Sequence, residues 1–217
     1  MTIKILLADD HEMLRKGLRS LIEHDKNFEV VGEAGNGRDA VRLTAKHKPD
    51  LVLMDLAMPD LNGIDATRQI LQANPKVKII ALSMHTDSRM VDRILRAGAA
   101  GYLLKESAFE DLTQAILTIM KGGTYLSPMI ARDVVENLRK TPPAAGHRSR
   151  LLALSERERE VLQMLAEGCT IKVIAGKLFI SAKTVETHRT KVMEKLHLHS
   201  IAELTKFAVR EGLTALE

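Results

Sequence analysis

The chain has 217 residues, of which 45% are hydrophobic, 28% charged and only 3% aromatic, with no Trp and a formal net charge of +4. That length holds one large domain or two modest ones. No apolar run approaches the roughly 18 residues that span a bilayer, the first apolar run is too short for a signal peptide, and the single cysteine, Cys169, excludes an internal disulfide and any metal site built on several Cys ligands.

A cytoplasmic protein with no membrane partner is expected. Its charge is unevenly spread: residues 1–138 carry 18 Lys/Arg against 19 Asp/Glu, and residues 148–217 carry 12 against 9. A basic back half behind a slightly acidic front suggests a division of labour, with nucleic acid at the back.

In chain order, Ile3 to Ala8 is a short strand-forming run that ends on Asp9-Asp10. Glu12 to His24 has helical spacing, with Met13, Leu14, Leu18, Leu21 and Ile22 on one stripe. Phe28 to Ala34 is a second strand, closed by the turn signal Gly35-Asn36-Gly37, and Arg38 to Lys46 is again helical. Leu51-Val52-Leu53-Met54 then runs straight into Asp55 between Pro49 and Pro59, the pattern of a buried parallel strand. Asn62-Gly63 opens a third helix through Ile64, Thr67, Ile70 and Leu71. Val77 to Leu82 is a fourth strand ending at Ser83, and Asp87 begins a helix that Gly98 stops. Gly101-Tyr102-Leu103-Leu104 is a brief fifth strand ending on Lys105, and Ala108 to Lys121 is a fifth helix halted by Gly122-Gly123.

Strands alternating with helices require a parallel sheet covered on both faces, because each crossover needs a helix. The strand ends then share one edge, where ligands bind in open α/β sheets. Asp9 and Asp10, Asp55, Ser83 and Lys105 therefore converge. A lone Asp55 would be read as the cap of the next turn; the shared edge changes that. Clustered carboxylates repel unless a cation neutralises them, and oxygen-only ligands suit Mg²⁺. A metal and a lysine around a nucleophilic carboxylate are the parts needed to form an aspartyl phosphate.

Asp9-Asp10, Asp55 with Pro59 and Gly63 beyond it, Ser83, and Lys105 preceded by Gly101-Tyr102 resemble the receiver domain of bacterial response regulators over about residues 1–123. The resemblance implies a flavodoxin-like doubly wound sheet of order 2-1-3-4-5 and phosphotransfer from a sensor histidine kinase. It further implies that Asp55 accepts the phosphoryl group. Asp9, Asp10 and Asp55, with the backbone carbonyl of Ala57, would hold Mg²⁺. Ser83 would move to the phosphoryl group, Lys105 would pair with it, and Tyr102 would be the switch aromatic that turns inward. By its residue type alone Tyr102 is a half-buried strand aromatic. Met84 and His85 follow the hydroxyl and could tune the lifetime of the phosphate.

Met129 to Leu138 forms an extra helix with Val134, Val135 and Leu138 inward, and 139–150 is an aperiodic cationic linker with Pro142-Pro143. Residues 124–150 thus form a joint. From 151 to 217 only helical patterns appear. Ser155 with Glu158 makes a capping box for the first helix, and Thr170 caps a short second one carrying Ile171, Val173, Ile174 and Ala175. Phe179-Ile180 makes a turn. Ser181 caps a third helix from Ala182 to about Leu196, and Ser200 with Glu203 starts a fourth. Two short helices joined by a tight turn, the second bearing Lys183, Arg189, Lys191 and Lys195, fit helix-turn-helix geometry.

Leu154-Ser155-Glu156-Arg157-Glu158-Arg159-Glu160-Val161-Leu162, Ile174-Ala175, Leu178-Phe179-Ile180-Ser181 and Lys183-Thr184-Val185-Glu186-Thr187-His188 resemble the LuxR-type helix-turn-helix. With the receiver, the whole chain resembles a NarL/FixJ-family regulator. That implies a third helix in the major groove and a last helix that pairs two copies on DNA. Base-reading positions fall on Glu186, Thr187 and Thr190. Lys183, Thr184, His188, Arg189 and Lys191 are phosphate contacts or flanking readers, and Val185, Val192 and Leu196 are core. Val173 cannot complete a capping box with Thr170, His197 stands where the family commonly has glycine, and Cys169 reads as a small buried residue.

The expected function is transcription regulation by double-stranded DNA binding at an inverted repeat. Phosphorylation would control it, the active form would be a homodimer, and RNA polymerase is a further partner class. The chain is expected not to be an enzyme beyond Mg²⁺-assisted phosphotransfer to its own Asp55. A phosphotransferase or phosphatase acting on small molecules would leave the helix-turn-helix idle, and the intact set of Asp9, Asp10, Asp55, Ser83 and Lys105 argues against a regulator that ignores phosphorylation.

Overall fold

The computed structural model describes residues 2–84, 86–140 and 150–214, with the side chains of 108–110 and 137–140 outside that description. His85, the Leu138 side chain and most of the expected linker, 141–149, lie outside the described residues. The chain divides into two compact units, Met1–Pro142 and Pro143–Glu217.

The first unit alternates strand and helix in the order β1 (Ile3–Ala8), α1 (Glu12–His24), β2 (Phe28–Ala34), α2 (Gly37–His47), β3 (Leu51–Asp55), α3 (Gly63–Ala73), β4 (Lys78–Ser83), α4 (Ser88–Arg96), β5 (Gly101–Leu104), α5 (Ala108–Met120), β6 (Tyr125–Leu126) and α6 (Pro128–Lys140). All strand pairs are parallel, in the order β2-β1-β3-β4-β5-β6. The expected order 2-1-3-4-5 is present, and β6 corrects it to six strands. Two residues are too short to show a period. Their place is fixed instead by Gly101, where a Cβ would come within 2.8 Å of the Tyr125 carbonyl oxygen.

Alternate residues of each strand supply opposite faces, as the pleat demands. Leu6, Val52, Met54, Ile79, Ala81 and Tyr102 join Ala40 of α2, Ile64 and Ile70 of α3, Val91 and Ile94 of α4 and Ile130 of α6 in one core cluster. Ile5, Leu7, Leu51, Leu53, Ile80, Leu82 and Leu103 join Leu18 and Ile22 of α1 and Leu112, Ile116 and Ile119 of α5 in another. Each such side chain contributes roughly 1.5–3 kcal/mol by leaving water. The extra helix therefore packs on the first unit through Ile130 and Val134, whereas Val135, expected inward, is 46% exposed.

Helix starts follow local chemistry. Asn36 and Asn62 accept from the backbone N–H of Asp39 and Asp65 at 2.8 and 3.0 Å, capping α2 and α3. Gly63 lets α3 begin directly against the end of β3, since a Cβ there would overlap the carbonyl oxygen of Asp55.

Among its described residues the second unit forms helices and no strand: a 3-10 turn (Arg150–Ala153), α7 (Glu156–Ala166), α8 (Ile171–Leu178), α9 (Ala182–Leu196) and α10 (Ile201–Arg210). Both capping boxes form, Ser155 with Glu158 and Ser200 with Glu203. Thr170 caps α8 alone, accepting from Val173 N–H at 3.3 Å. Val173 is itself 45% exposed rather than core. Val161, Leu162, Ile174, Val185, Val192, Leu196, Leu204 and Phe207 form the core of this unit, and Cys169 is half-buried against it. Among the described residues, no helix is long and apolar enough to cross a membrane.

Candidate functional site

The carboxyl ends of the strands bring the polar residues of the first unit together. Asp55 is in register with Leu82, and Ser83 with Leu104, so the ends of β3, β4 and β5 stand level. Asp9 and Asp55 are 1% and 2% exposed. The Lys105 ammonium lies 2.7 Å from Asp9 Oδ2 and 2.8 Å from Asp55 Oδ2. Burial, reinforced by the charge of Asp9, pushes the Asp55 carboxyl up to about 6, against the pull of Lys105. Burial works to lower the Lys105 ammonium, but Asp55 and Asp9 outweigh it and hold it above its ordinary value.

Asp10 sits at the mouth of this pocket, its side chain 33% exposed. His11 Nδ1 lies 2.7 Å from Asp10 Oδ1 and 3.3 Å from Asp9 Oδ1, and the His11 backbone N–H donates to Asp9 Oδ1 at 2.8 Å. One ligand atom from each of Asp9, Asp10, His11 and Asp55 falls within 4.8 Å of the others. Asp9 Oδ2 is buried and, although ion-paired to Lys105, accepts no hydrogen bond of good geometry. Three carboxylates with an under-satisfied buried oxygen suit a hard divalent cation. Ala57 is exposed, and its N–H donates to Asp55 Oδ1 at 3.3 Å.

Ser83 is 3% exposed, and Tyr102 is fully buried rather than half-buried. The Tyr102 hydroxyl shares a hydrogen bond with the Ser83 side chain, while burial pushes its pKa up to about 12. The ring thus lies inward, on the α4 and α6 side of the sheet. Met84 is 62% exposed beyond Ser83.

In the second unit, α8 and α9 are joined by the turn at Phe179, which is left-handed with φ 54 and 94% exposed. Ser181 caps α9 by accepting from Thr184 N–H at 3.1 Å. Lys183, Thr184, Glu186, Thr187, Thr190 and Lys191 are exposed along α9, and His188 and Arg189 are half-buried. Val185, Val192 and Leu196 are all 0% exposed, so they face the core and the polar set faces out.

A model of the response regulator receiver domain matches residues 5–117, and one of bacterial regulatory proteins of the luxR family matches residues 152–208. The response regulator UvrY of Escherichia coli (strain K12) is 39% identical over 215 residues, covering 99% of this chain and 97% of UvrY. The chain is a two-component response regulator of the NarL/FixJ family.

Solved structures agree with this assignment. One of the Salmonella typhimurium RcsB response regulator, described for its conformational dynamism in DNA interaction, is 27% identical, with a TM-score of 0.58 and coverage of 96% of this chain and 98% of RcsB. An RcsB–DNA complex is 26% identical, with a TM-score of 0.60 and coverage of 95% and 98%. The regulator therefore joins a receiver to a DNA-binding helix-turn-helix that regulates transcription.

Three features of the regulator escape a reading of motifs. His11 joins the acidic pocket, and its place two residues after Asp9 was the only signal. Ser127 is 1% exposed, and its Oγ accepts from Leu104 N–H at 3.1 Å, holding the end of the strand that leads into Lys105. Lys195, grouped by charge with the basic residues of α9, lies 2.6 Å from the buried Glu158 of the α7 capping box. It ties α9 to α7.

Proposed function

We propose that a sensor histidine kinase phosphorylates Asp55, and that this controls homodimerisation and sequence-specific binding to an inverted-repeat DNA site. The observation that carries the reading is the buried Asp55 carboxylate with Lys105 Nζ 2.8 Å away, on the sheet edge shared with Asp9 and Ser83. In the transfer, an Asp55 oxygen bonds to phosphorus as the P–N bond to the kinase histidine breaks, and the departing imidazole takes up a proton. Asp55 must be ionised to attack, which a value of about 6 permits at neutral pH.

Asp9, Asp10 and Asp55, with the carbonyl of Ala57, would hold Mg²⁺, which when bound supplies charge neutralisation for the phosphoryl oxygens. Lys105 offers a compact cation to the same oxygens. Ser83 exchanges its bond with Tyr102 for one with the phosphoryl group, which links the modified edge to the packing around α4. Phosphorylation adds roughly 1.5 to 2 negative charges and three acceptor oxygens, so the two states it separates lie within a few kcal/mol.

On this reading the receiver occupies 1–123, the joint 124–150 and the DNA-binding domain 151–217, all working in the cytoplasm where the DNA is. Glu186, Thr187 and Thr190 read bases, while Lys183, Thr184, His188, Arg189 and Lys191 contact phosphates or flank them. The test is a small phosphodonor with Mg²⁺, followed by intact-mass measurement. One phosphoryl group on the natural protein and none on Asp55→Asn is expected. A label that persists in that variant refutes the assignment.

A further inference from the structure

The outward stripe of α9 has an unusual donor and acceptor balance. Residues three and four apart on a helix share a face, so Lys183, Glu186, Thr187 and Thr190 lie together. The Thr187 hydroxyl donates to the Lys183 carbonyl at 2.9 Å, and the Thr190 hydroxyl to the Glu186 carbonyl at 3.1 Å. A hydroxyl has one proton to give. Both protons are used inside the helix, which leaves each threonine an acceptor lone pair and a methyl group. Among the described residues the Glu186 carboxylate has no ion pair or hydrogen bond, although Lys183 precedes it and Arg189 follows it by three positions. An ionised carboxylate is acceptor-only. The middle of the stripe therefore offers acceptors and methyls, with its cations at the margins.

We propose that Glu186 reads the N4 amino group of a cytosine in the major groove, with thymine methyls packed against the methyls of Thr187 and Thr190. The edges of the bases decide this. Guanine shows only the acceptors N7 and O6, and thymine shows O4, so both repel a carboxylate. Adenine offers its N6 amino group but sets the acceptor N7 beside it. Cytosine alone offers a donor with no acceptor on its own major-groove edge. The carboxylate also repels the phosphates, so it favours binding only where an amino group meets it. This inference rests on the proposed sequence-specific DNA binding and adds which base the helix selects.

The experiment is selection of duplexes from a randomised library by the full-length regulator treated with phosphodonor and Mg²⁺. It is run on the natural protein, Glu186→Ala and Glu186→Gln. Glu186 is exposed on a helix surface, so both variants keep the fold. In the natural protein one position of each half-site is expected to hold cytosine, with roughly five- to hundredfold discrimination. Glu186→Ala should flatten that position alone. Glu186→Gln should move it toward adenine, which glutamine engages through N6 and N7. If the natural protein selects a sequence and neither variant changes it, the role of Glu186 is overturned while sequence-specific binding stands. If the natural protein selects no sequence, both fail.

Discussion

Lys105 and Asp55, fifty residues apart in sequence, meet at 2.8 Å on the carboxyl edge of the sheet. Asp9 shares the same ammonium at 2.7 Å, so one buried cation answers two buried carboxylates. The two carboxylates are thus incompletely neutralised. That imbalance has a measurable consequence for stability.

The Asp55 carboxyl titrates at about 6 in the fold, against an ordinary value of 3.8. Below the ordinary value it is protonated in both states and contributes nothing. As pH rises the unfolded chain ionises first, so it binds fewer protons than the native state and stability falls. Above the folded value an ionised Asp55 costs the fold about 3 kcal/mol. Asp55→Asn is therefore expected to be more stable than the natural metal-free protein by ~2–3 kcal/mol near pH 7.5, with the gap closing near pH 4. Urea unfolding at the two pH values checks this; an equal gap at both would contradict it.

Tyr102 has no exposed surface and bonds to Ser83. Tyr102→Ala leaves a cavity in the core cluster that also holds Val91 and Ile94, and should cost about 3–5 kcal/mol. Tyr102→Phe keeps the ring and should cost only about 1 kcal/mol, the net worth of one hydrogen bond. Denaturant midpoints separate the two. Equal losses would place the hydroxyl, not the ring, at the centre of the packing.

α9 stops at Leu196, and its C-cap His197 has φ 52, a left-handed conformation that glycine adopts without strain. A histidine held in that conformation carries strain. His197→Gly is expected to stabilise the second unit by ~0.5–1 kcal/mol, after allowance for the freer unfolded chain. A calorimetric scan of the full chain would show the helix-turn-helix transition rise. A fall would mean that the His197 side chain holds the end of α9.

Lys183 and Lys195 stand on one helix with different work. Lys183 is exposed, so Lys183→Ala should weaken DNA binding across sequences and reduce the slope of log affinity against log salt by about 1. Lys195 is engaged by Glu158 at 2.6 Å, and its partner is 5% exposed. Lys195→Ala should leave the salt slope unchanged and lower stability instead, by ~1 kcal/mol or more, because a buried carboxylate loses its cation. Equal slope changes in the two variants would make Lys195 a phosphate contact after all.

Much of this architecture is legible in sequence, for physical reasons. The continuous apolar run into Asp55 marks a strand buried on both faces, and polar residues at successive strand ends must share an edge in a parallel sheet. Ser155 with Glu158 and Ser200 with Glu203 carry their own hydrogen-bond logic, and both boxes form. What escaped was decided by tertiary contact. Tyr125–Leu126 is too short for a period, and the close approach at Gly101 is invisible until the strands meet. Val173 and Val135 fit apolar patterns yet face outward, because hydrophobic type constrains the inside of a protein more than its surface. The pairing of Lys195 with Glu158 spans 37 residues, beyond any local rule.

That a phosphoryl group on Asp55 controls DNA binding is a proposal with a direct readout. It is tested most directly by the affinity of the full-length regulator for an inverted-repeat duplex, measured with and without phosphodonor and Mg²⁺, in the natural protein and in Asp55→Asn. Phosphorylation should tighten binding of the natural protein roughly tenfold or more, a coupling ordinary for two linked sites, and the variant should not respond. A natural protein that is fully phosphorylated and binds the duplex no more tightly than before would contradict the claim.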